Sequence, residues 1–270
     1  MSARRVALRL AAPLSLFACA GEAPVPAAAP PTLAAPTPIA PPHWSYDDAE
    51  GPLHWGDLDP SFAACKTGQA QSPIDLPATP SRHEPAPDRP RWDPVPLHVT
   101  NNGHVIQIDD TAPSSFVFDG ATYKLVQFHF HSPSEHAIGG RTYPVEIHLV
   151  HKSDAGKLLV VGILLDTGAD NAVLAPLWNA LPAHEGPAVV VPGVTLDIAS
   201  LLPSAPRYLS YGGSLTTPPC TEGVTWLVVE PGGGAQISPA QVATLRERTH
   251  PSTHRPLQAI GAREVVERAP

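Results

Sequence analysis

Two histidines placed two residues apart in a β-rich run place the strongest constraint on how this 270-residue chain can fold. His129 and His131 lie in the run QFHFH, and His148 follows in the run EIHLVH. Side chains at i and i+2 of a β-strand point to the same face. We therefore expect His129 and His131 to point together, while Phe128 and Phe130 point to the opposite face, into a core. The chain is predicted to form a sheet with one apolar face and one histidine-bearing face.

The three histidines predict a zinc ion, Zn2+, bound by neutral imidazoles. Three such ligands leave the fourth tetrahedral position open for water, as in catalytic zinc sites. Metal-bound histidines usually donate their second ring N–H to an acceptor. Gln127 and Glu146 lie two residues before His129 and His148, so each shares the face of its histidine. A lone histidine in an apolar strand is more often a core or surface residue. The zinc prediction therefore depends on the three histidines together with Gln127 and Glu146.

Seven segments resemble the α-class carbonic anhydrases in order and spacing, from about His43 to about Glu267. The segments are NNGH (101–104), QFHFHSPSEH (127–136), EIHLVH (146–151), SLTTPPC (214–220), VTW (224–226), QSPID (71–75) and RPLQ (255–258). The resemblance implies a twisted, mostly antiparallel sheet. It also implies zinc-dependent reversible hydration of carbon dioxide to bicarbonate and a proton, by attack of zinc-bound hydroxide.

The resemblance assigns catalytic roles to three residues outside the histidine trio. Thr216 would accept a hydrogen bond from the hydroxide, because Glu135 takes the hydroxyl proton of Thr216 and leaves it only acceptor sites. His104 would be the histidine that transfers the proton to buffer, since an imidazole with a pKa near 6.5 accepts a proton at neutral pH. Taken without the resemblance, Glu135 is an ordinary loop carboxylate, Thr216 a turn residue and His104 an exposed turn histidine.

The resemblance extends to the lining of the site. The substrate pocket of the family matches Val150, Val160, Leu215, Thr217, Val224 and Trp226. Positions that line its solvent side or order its waters match Tyr46, Asn102, Gln107 and Tyr211. His136 and His151 match structural histidines and not zinc ligands. The alternative for the apolar pocket positions is that they are plain core.

The N-terminus is predicted to be an export signal. Three arginines precede a short apolar run and small residues, which is typical of a secretory signal peptide. Because the sequence Leu-Phe-Ala-Cys ending at Cys19 resembles a lipoprotein cleavage box, residues 1–19 are interpreted as a lipoprotein-type signal that attaches the chain to a membrane through lipidated Cys19. An ordinary cleaved signal and an uncleaved tail are the alternatives. The predicted localisation is extracytoplasmic, either periplasmic or membrane-anchored.

A spacer and one catalytic domain are predicted to follow. Residues 20–42 are mostly alanine and proline, which bury too little apolar surface to order themselves and form an extended, disordered linker. The domain would span residues 43–270. If Cys19 is lipidated, Cys65 and Cys220 remain as an even pair, and the resemblance implies a disulfide between them, as an exported protein permits. Two buried free thiols are the alternative.

Charge argues against a nucleic-acid partner, and hydropathy argues against a membrane-spanning helix. The formal net charge is −8, and the sequence contains no arginine-rich run or basic cluster, which argues against nucleic-acid binding. No stretch of 18 apolar residues exists, so we expect no transmembrane helix. The expected partners are the small molecules carbon dioxide and bicarbonate, and the sequence does not define an oligomeric state.

The fold class is predicted as α+β or mainly β, a single domain with a large twisted sheet and peripheral helices. Short β-rich runs separated by turn residues carry the prediction. The run VEIHLVH alternates, which is typical of a half-buried strand, whereas KLLVVGILL is continuously apolar and predicts a strand buried on both faces. Helices are predicted at Asp170–Leu181 and Pro239–Arg248, capped by Asp170 and Ser238.

Two other function classes are alternatives to hydration of carbon dioxide. A non-enzymatic binding module on the same scaffold would be expected to lack a zinc histidine, and all three are present. A dedicated zinc hydrolase would need a general base such as the glutamate of HExxH, and no such motif occurs.

Overall fold

The computed structural model describes residues 42–231 and 235–270. The predicted signal peptide with Cys19, and the spacer up to residue 41, lie outside the described residues. Within the described part, no helix is both long enough and apolar enough to cross a bilayer.

The secondary structure is dominated by strands. They are β1 (Asp75–Leu76), β2 (Arg82–Pro85), β3 (Val95–Asn101), β4 (Ile106–Asp109), β5 (Ser115–Phe118), β6 (Ala121–His131), β7 (Ala137–Ile138), β8 (Val145–Ser153), β9 (Leu158–Thr167), β10 (Val189–Leu196), β11 (Tyr208–Ser214), β12 (Glu222–Val229), β13 (Gln236–Ile237) and β14 (Val266–Ala269). The helices are α1 (Trp55–Leu58), α2 (Ala64–Thr67), α3 (Ala175–Trp178) and α4 (Pro239–Arg248), with 3₁₀ turns at Pro60–Phe62 and Ile198–Leu201.

One large twisted sheet contains twelve of the strands in the described residues. Its order is β10-β3-β4-β6-β8-β9-β12-β11-β14-β2, with β5 beside β6 and β13 beside β9. Most neighbours are antiparallel, but β9 pairs in parallel with β12 and β13, and β14 pairs in parallel with β2. The predicted fold class, a single domain with a large, mostly antiparallel sheet and peripheral helices, is confirmed.

Two apolar clusters cover the two faces of this sheet. The larger contains Phe128 and Phe130 of β6, together with Ile147 and Leu149 of β8. The smaller lies on the histidine face and includes Trp226 of β12. Because burying one large apolar side chain contributes roughly 1.5–3 kcal/mol, both clusters hold the central strands firmly in place.

The strand β8 differs from the half-buried strand that its alternating sequence predicts. Its odd positions, including Ile147 and Leu149, enter the larger cluster as expected. Its even positions Glu146 and His148 are buried as well. The histidine face is therefore covered by other parts of the chain, and polar groups on it must find their partners within the protein.

One helix prediction is correct and the other is wrong. The helix α4 has the predicted bounds, and Ser238 caps it in a reciprocal pair with Gln241. The predicted helix at Asp170–Leu181 is reduced to the four residues of α3. Proline at position 176 cannot occupy a helix interior, so the helix begins just before this proline. Asp170 therefore lies too far upstream to cap the helix.

The predicted pair Cys65–Cys220 forms a disulfide. The two Cα atoms lie 5.0 Å apart, and the cysteines are separated by 155 residues in sequence. Cys65 lies in α2, and Cys220 follows the loop after β11. The bond therefore ties the loop that carries Thr216 to the N-terminal part of the domain.

Candidate metal centre

Strand register brings the three histidines onto one face. In the antiparallel pair β6–β8, His129 lies directly opposite His148, and His131 lies opposite Glu146. Directly opposed side chains share a face of the sheet. The i, i+2 spacing on β6 and this register together place three imidazoles and one carboxylate side by side.

The imidazoles converge on a common point. One ring nitrogen from each of His129, His131 and His148 lies within 4.8 Å of the other two. The ring centroids are 4.5 to 5.2 Å apart. This arrangement suits a single metal ion between the rings.

Each imidazole has its other ring nitrogen engaged by a different acceptor. His129 Nδ1 bonds Gln127 Oε1 at 2.8 Å, and His148 Nε2 bonds Glu146 Oε1 at 3.0 Å. His131 Nδ1 bonds the backbone carbonyl of Thr253 at 2.5 Å. The nitrogens left for a metal are Nε2 of His129, Nε2 of His131 and Nδ1 of His148. Nε2 of His131 is buried and has no hydrogen-bond partner among the described residues.

Burial keeps these imidazoles neutral. It lowers the pKa of His131 to about 4 and also lowers the pKa of His148. Burial, followed by the neighbouring His131 and His148, holds the pKa of His129 well below its usual range. Neutral imidazoles expose lone pairs at neutral pH, so the donor set fits a zinc ion.

Glu146 is an ionised carboxylate with four donors. Its Oε2 accepts the backbone N–H groups of Glu135 and His136 at 2.9 and 2.8 Å. Its Oε1 accepts from His136 Nδ1 at 2.7 Å and from His148. Burial alone would raise the pKa of Glu146, but His136 and His148 reverse this effect and hold it well below its usual range.

Gly162 makes room for that carboxylate. It lies on β9 directly opposite His148, and a Cβ atom at this position would lie 2.8 Å from Oε1 of Glu146. Gly162 was not identified from the sequence, although a glycine within a continuously apolar strand is a known sign of close approach by another group.

Glu135 lies beneath the histidines. Its Oε1 accepts the backbone N–H of Arg255 at 2.9 Å, and its Oε2 is 3.7 Å from His131 Nε2 and 3.9 Å from His148 Nδ1. Burial raises the pKa of Glu135 to about 7, while His148 and the hydroxyl of Thr216 act to lower it. Thr216 is buried close to this carboxylate, but the pair forms no hydrogen bond of standard geometry in the described structure.

A cavity of about 110 Å³ opens beside the histidines. It is lined by Trp44, Asn102, His104, Val105, Gln107, Gln127, His129, His131 and Thr217. The structure thus brings His104, Asn102, Gln107 and Thr217 to the mouth of the candidate site. Trp44 and Val105 were not identified from the sequence, because neither apolar residue carries a chemical signature.

His104 stacks on Trp44 at this cavity. The ring centroids are 3.7 Å apart and the planes differ by 6°. Burial and the nearby His43 lower the pKa of His104, and Glu185 opposes them. Asn102 holds the turn below, accepting the backbone N–H groups of His104 and Val105 at its Oδ1.

The sequence profile of the family described as eukaryotic-type carbonic anhydrase matches residues 50–269. The chain belongs to this family. Among its relatives, the carbonic anhydrase of Nostoc sp. is 38% identical over 229 residues, which cover 83% of this chain and 86% of that protein. The carbonic anhydrase of Neisseria gonorrhoeae is also 38% identical, over 83% of this chain and 88% of that protein.

Solved structures of similar proteins superpose well on this fold. The α-carbonic anhydrase of Thermovibrio ammonificans, solved with the inhibitor sulfanilamide, has a TM-score of 0.79 and 37% identity. The match covers 84% of this chain and all of that one. Dioscorin complexed with ascorbate has a TM-score of 0.76 and 31% identity, over 84% of this chain and 98% of that one.

The positions that match the carbonic anhydrase substrate pocket lie mostly in the smaller apolar cluster. Val160, Val224 and Trp226 are fully buried there, and Val150 and Leu215 are half-buried and pack against it. Register explains this grouping, because Val150 lies opposite Val160 and Val160 lies beside Trp226. These residues form an apolar floor next to the metal face, and only Thr217 of the set lines the cavity.

Tyr211 does not lie on the solvent side of the site. It is buried, and its hydroxyl bonds His136 Nε2 at 2.6 Å and Ser72 Oγ at 2.8 Å. Its burial contradicts a place on the solvent side, and β9 and β12 lie between its strand and the strand that carries His148. That Tyr211 orders waters of the site stays a prediction. Tyr46 is half-buried, with its hydroxyl enclosed, and Gln107 lines the cavity while its amide donates to Asp109.

Proposed function

We propose that the chain catalyses the reversible hydration of carbon dioxide to bicarbonate and a proton, with zinc held by His129, His131 and His148. The observation that carries the proposal is the convergence of three imidazole nitrogens whose second nitrogens are all engaged. The unpartnered, buried Nε2 of His131 supports it, since a buried polar atom without a partner is costly unless a ligand satisfies it.

A zinc ion held by these three histidines would lower the pKa of water to about 7, the value characteristic of carbonic anhydrases as a class, so that a nucleophile would exist at neutral pH. Gln127, Glu146 and the carbonyl of Thr253 fix the three ring orientations. Preorganised ligands of this kind need no rearrangement during the reaction.

Glu135 and Thr216 orient the attacking oxygen. In this proposal an anionic Glu135 would accept a hydrogen bond from the Thr216 hydroxyl, and Thr216 would then offer only lone pairs to the nucleophile. A lone pair of the attacking oxygen would then point at the carbon of carbon dioxide. The backbone N–H of Thr216 is a donor for the negative charge that develops on the substrate oxygen. The apolar floor at Val150 and Leu215 suits an uncharged, apolar substrate.

His104 carries the proton away. It lies in the same cavity as His129 and His131, and it is half-buried, so it faces both the site and solvent. A neutral imidazole accepts a proton from the site and passes it to buffer. Stacking on Trp44 holds the ring at the cavity wall.

The proposal includes a location outside the cytoplasm. The disulfide Cys65–Cys220 supports it, because such bonds persist in oxidising compartments. Residues 1–19 would then be a signal peptide and 20–42 a spacer, with Cys19 lipidated. The mass of the mature N-terminus tests this, and a free, unacylated start elsewhere contradicts the lipid anchor.

The function is tested by metal analysis and stopped-flow hydration on residues 43–270. We expect one zinc per chain, rapid hydration of carbon dioxide, loss of activity with a chelator and recovery with zinc. Sulfanilamide is an inhibitor of the Thermovibrio ammonificans relative. We therefore also expect it to inhibit hydration of carbon dioxide by this chain.

A non-enzymatic binding module is the second outcome that the same experiment recognises. Dioscorin shares the fold and was solved with ascorbate, so the scaffold also accepts other small molecules. A folded, zinc-loaded domain without hydration activity would favour the module. The presence of Glu135 and Thr216 beside all three histidines favours the enzyme.

A further inference from the structure

A chain of buried side chains runs from the candidate metal centre to the N-terminal part of the domain. Glu146 Oε1 joins His148 to His136, and His136 Nε2 meets the hydroxyl of Tyr211 at 2.6 Å. The Tyr211 hydroxyl meets Ser72 Oγ at 2.8 Å. Every member is at most 4% exposed.

At the Ser72 end of this series of hydrogen bonds, the contacts with Ser214 determine which hydroxyl is the donor. Its backbone N–H donates to Ser72 Oγ at 3.1 Å, so Ser72 is an acceptor there. The Oγ of Ser214 accepts the backbone N–H of Ser72 and donates to the carbonyl of Leu215. The hydroxyl proton of Ser72 then has one acceptor within reach in the described structure, the oxygen of Tyr211. A buried hydroxyl proton without an acceptor is costly, so Ser72 donates to Tyr211.

The direction at Ser72 determines the tautomer of His136. The single proton of Tyr211 must go to Nε2 of His136, which is therefore an acceptor. His136 is then neutral, with its proton on Nδ1, where it donates to Oε1 of Glu146 at 2.7 Å. The same oxygen accepts Nε2–H of His148, which leaves Nδ1 of His148 as the lone pair for a metal.

We infer that Tyr211 is a positioning residue for the metal centre: its donated hydrogen bond locks His136 in the Nδ1–H tautomer, and through Glu146 this sets the orientation and tautomer of His148. The inference rests on the proposed zinc site. Altering an acceptor partner of a metal ligand typically changes metal affinity 10-fold to 100-fold, and because Tyr211 acts through such a partner we expect an effect at the low end of this range.

The variant Tyr211→Phe removes the hydroxyl and keeps the ring that stacks near Trp226 with planes 10° apart. Tyr208→Phe is the matched control, because Tyr208 is a buried tyrosine on the same strand whose hydroxyl has no partner in the described residues. A third variant, Ser72→Ala, removes the donor to Tyr211 but leaves the Tyr211 hydroxyl free to donate to His136.

Two measurements are made on the full chain. The zinc dissociation constant is measured by competition with a chromophoric chelator, and the histidine ring tautomers are read from ¹⁵N NMR. We expect Tyr211→Phe to raise the dissociation constant about tenfold or more and to change the His136 ring signals. Tyr208→Phe should change neither, and Ser72→Ala should keep the His136 tautomer with a smaller rise.

The remaining outcomes contradict either the proposed function or the positioning role of Tyr211. Wild-type protein without zinc affinity overturns the proposed function itself. Wild-type protein that binds zinc, with an unchanged constant in Tyr211→Phe or an equal rise in Tyr208→Phe, overturns only the positioning role. If Tyr211→Phe fails to fold, the wild-type ¹⁵N spectrum decides, because an Nε2–H or doubly protonated His136 contradicts the inferred chain.

Discussion

At the scale of single residues, each metal-site histidine is held by a chemically different acceptor. Gln127 contributes a neutral amide, Thr253 a backbone carbonyl and Glu146 a full negative charge. The sequence could predict the amide and the carboxylate, because each lies two residues from its histidine on the same strand. It could not predict Thr253, since that contact uses the backbone and spans 122 residues, so no side-chain identity marks it.

His104 is predicted to control the rate of proton release. Its replacement in His104→Ala leaves transfer to water, which is uphill because hydronium is a much stronger acid than imidazolium. We expect turnover in weak buffer to fall roughly a hundredfold, with recovery in concentrated imidazole. Stopped-flow hydration at low buffer concentration checks this, with His184→Ala as an exposed histidine control. Unchanged turnover in weak buffer rejects the role.

His151 is predicted to make folding stability depend on pH. It is buried, with Nδ1–H donated to the carbonyl of Leu149 and Nε2 accepting from Trp92. Burial lowers its pKa to about 4, against ~6.5 when unfolded. Between these values the unfolded chain binds a proton that the folded chain excludes, so stability is full above pH 6.5 and declines by about 3 kcal/mol as the pH falls to 4.

Urea unfolding at a series of pH values measures this effect in wild type and in His151→Gln, which keeps polar groups but does not titrate. The zinc-site histidines titrate in both proteins, so their contribution to the pH dependence of the unfolding free energy cancels when the two proteins are compared. The variant should be less stable at pH 7 and lose less stability on acidification. Parallel curves for the two proteins would show that His151 is not the responsible group.

At the scale of elements, the strands and helices with the clearest local sequence patterns were the ones that could be predicted. The central strands β6, β8 and β9 were predicted because their apolar residues form long runs or clear alternation. The strand β10, with sequence VVVPGVTL, was missed because proline and glycine interrupt it and its side chains are mostly exposed at the sheet edge. The helix α4 was correctly bounded because its Ser238–Gln241 capping pair is a local signal.

The disulfide Cys65–Cys220 is predicted to stabilise the domain and the loop that carries Thr216. Closing 155 residues in the unfolded chain corresponds to about 5 kcal/mol in the chain-entropy model, an upper value. In the double variant Cys65→Ser, Cys220→Ser we expect a lower free energy of unfolding and slower hydration. The zinc dissociation constant should hardly change, because the three ligands lie on β6 and β8. Denaturation and chelator competition test both parts, and equal stability of the two proteins contradicts the prediction.

At the scale of the whole molecule, the metal face is closed by segments distant in sequence. The guanidinium of Arg255 donates to Gln71 Oε1 and the carbonyl of Ser72, both at 2.8 Å, and to the carbonyl of Cys65 at 2.7 Å. Its backbone N–H holds Glu135. The segments QSPID and RPLQ contributed to the resemblance, but nothing local in them reveals that they meet. This long-range closure explains why the ligands were predictable and the buried surroundings were not.

Zinc removal is predicted to leave the fold intact and abolish activity. The ligands sit on central strands supported by an apolar cluster on each face, so the sheet does not need the metal to form. Binding to the folded state alone adds about 4 kcal/mol at a free zinc concentration a thousand times the dissociation constant. A chelator should therefore lower the thermal midpoint and stop hydration while the far-ultraviolet circular dichroism stays unchanged. Zinc should restore both, whereas magnesium should not, since hard cations disfavour imidazole ligands. Unfolding on chelation would contradict the prediction and show that the fold depends on the metal.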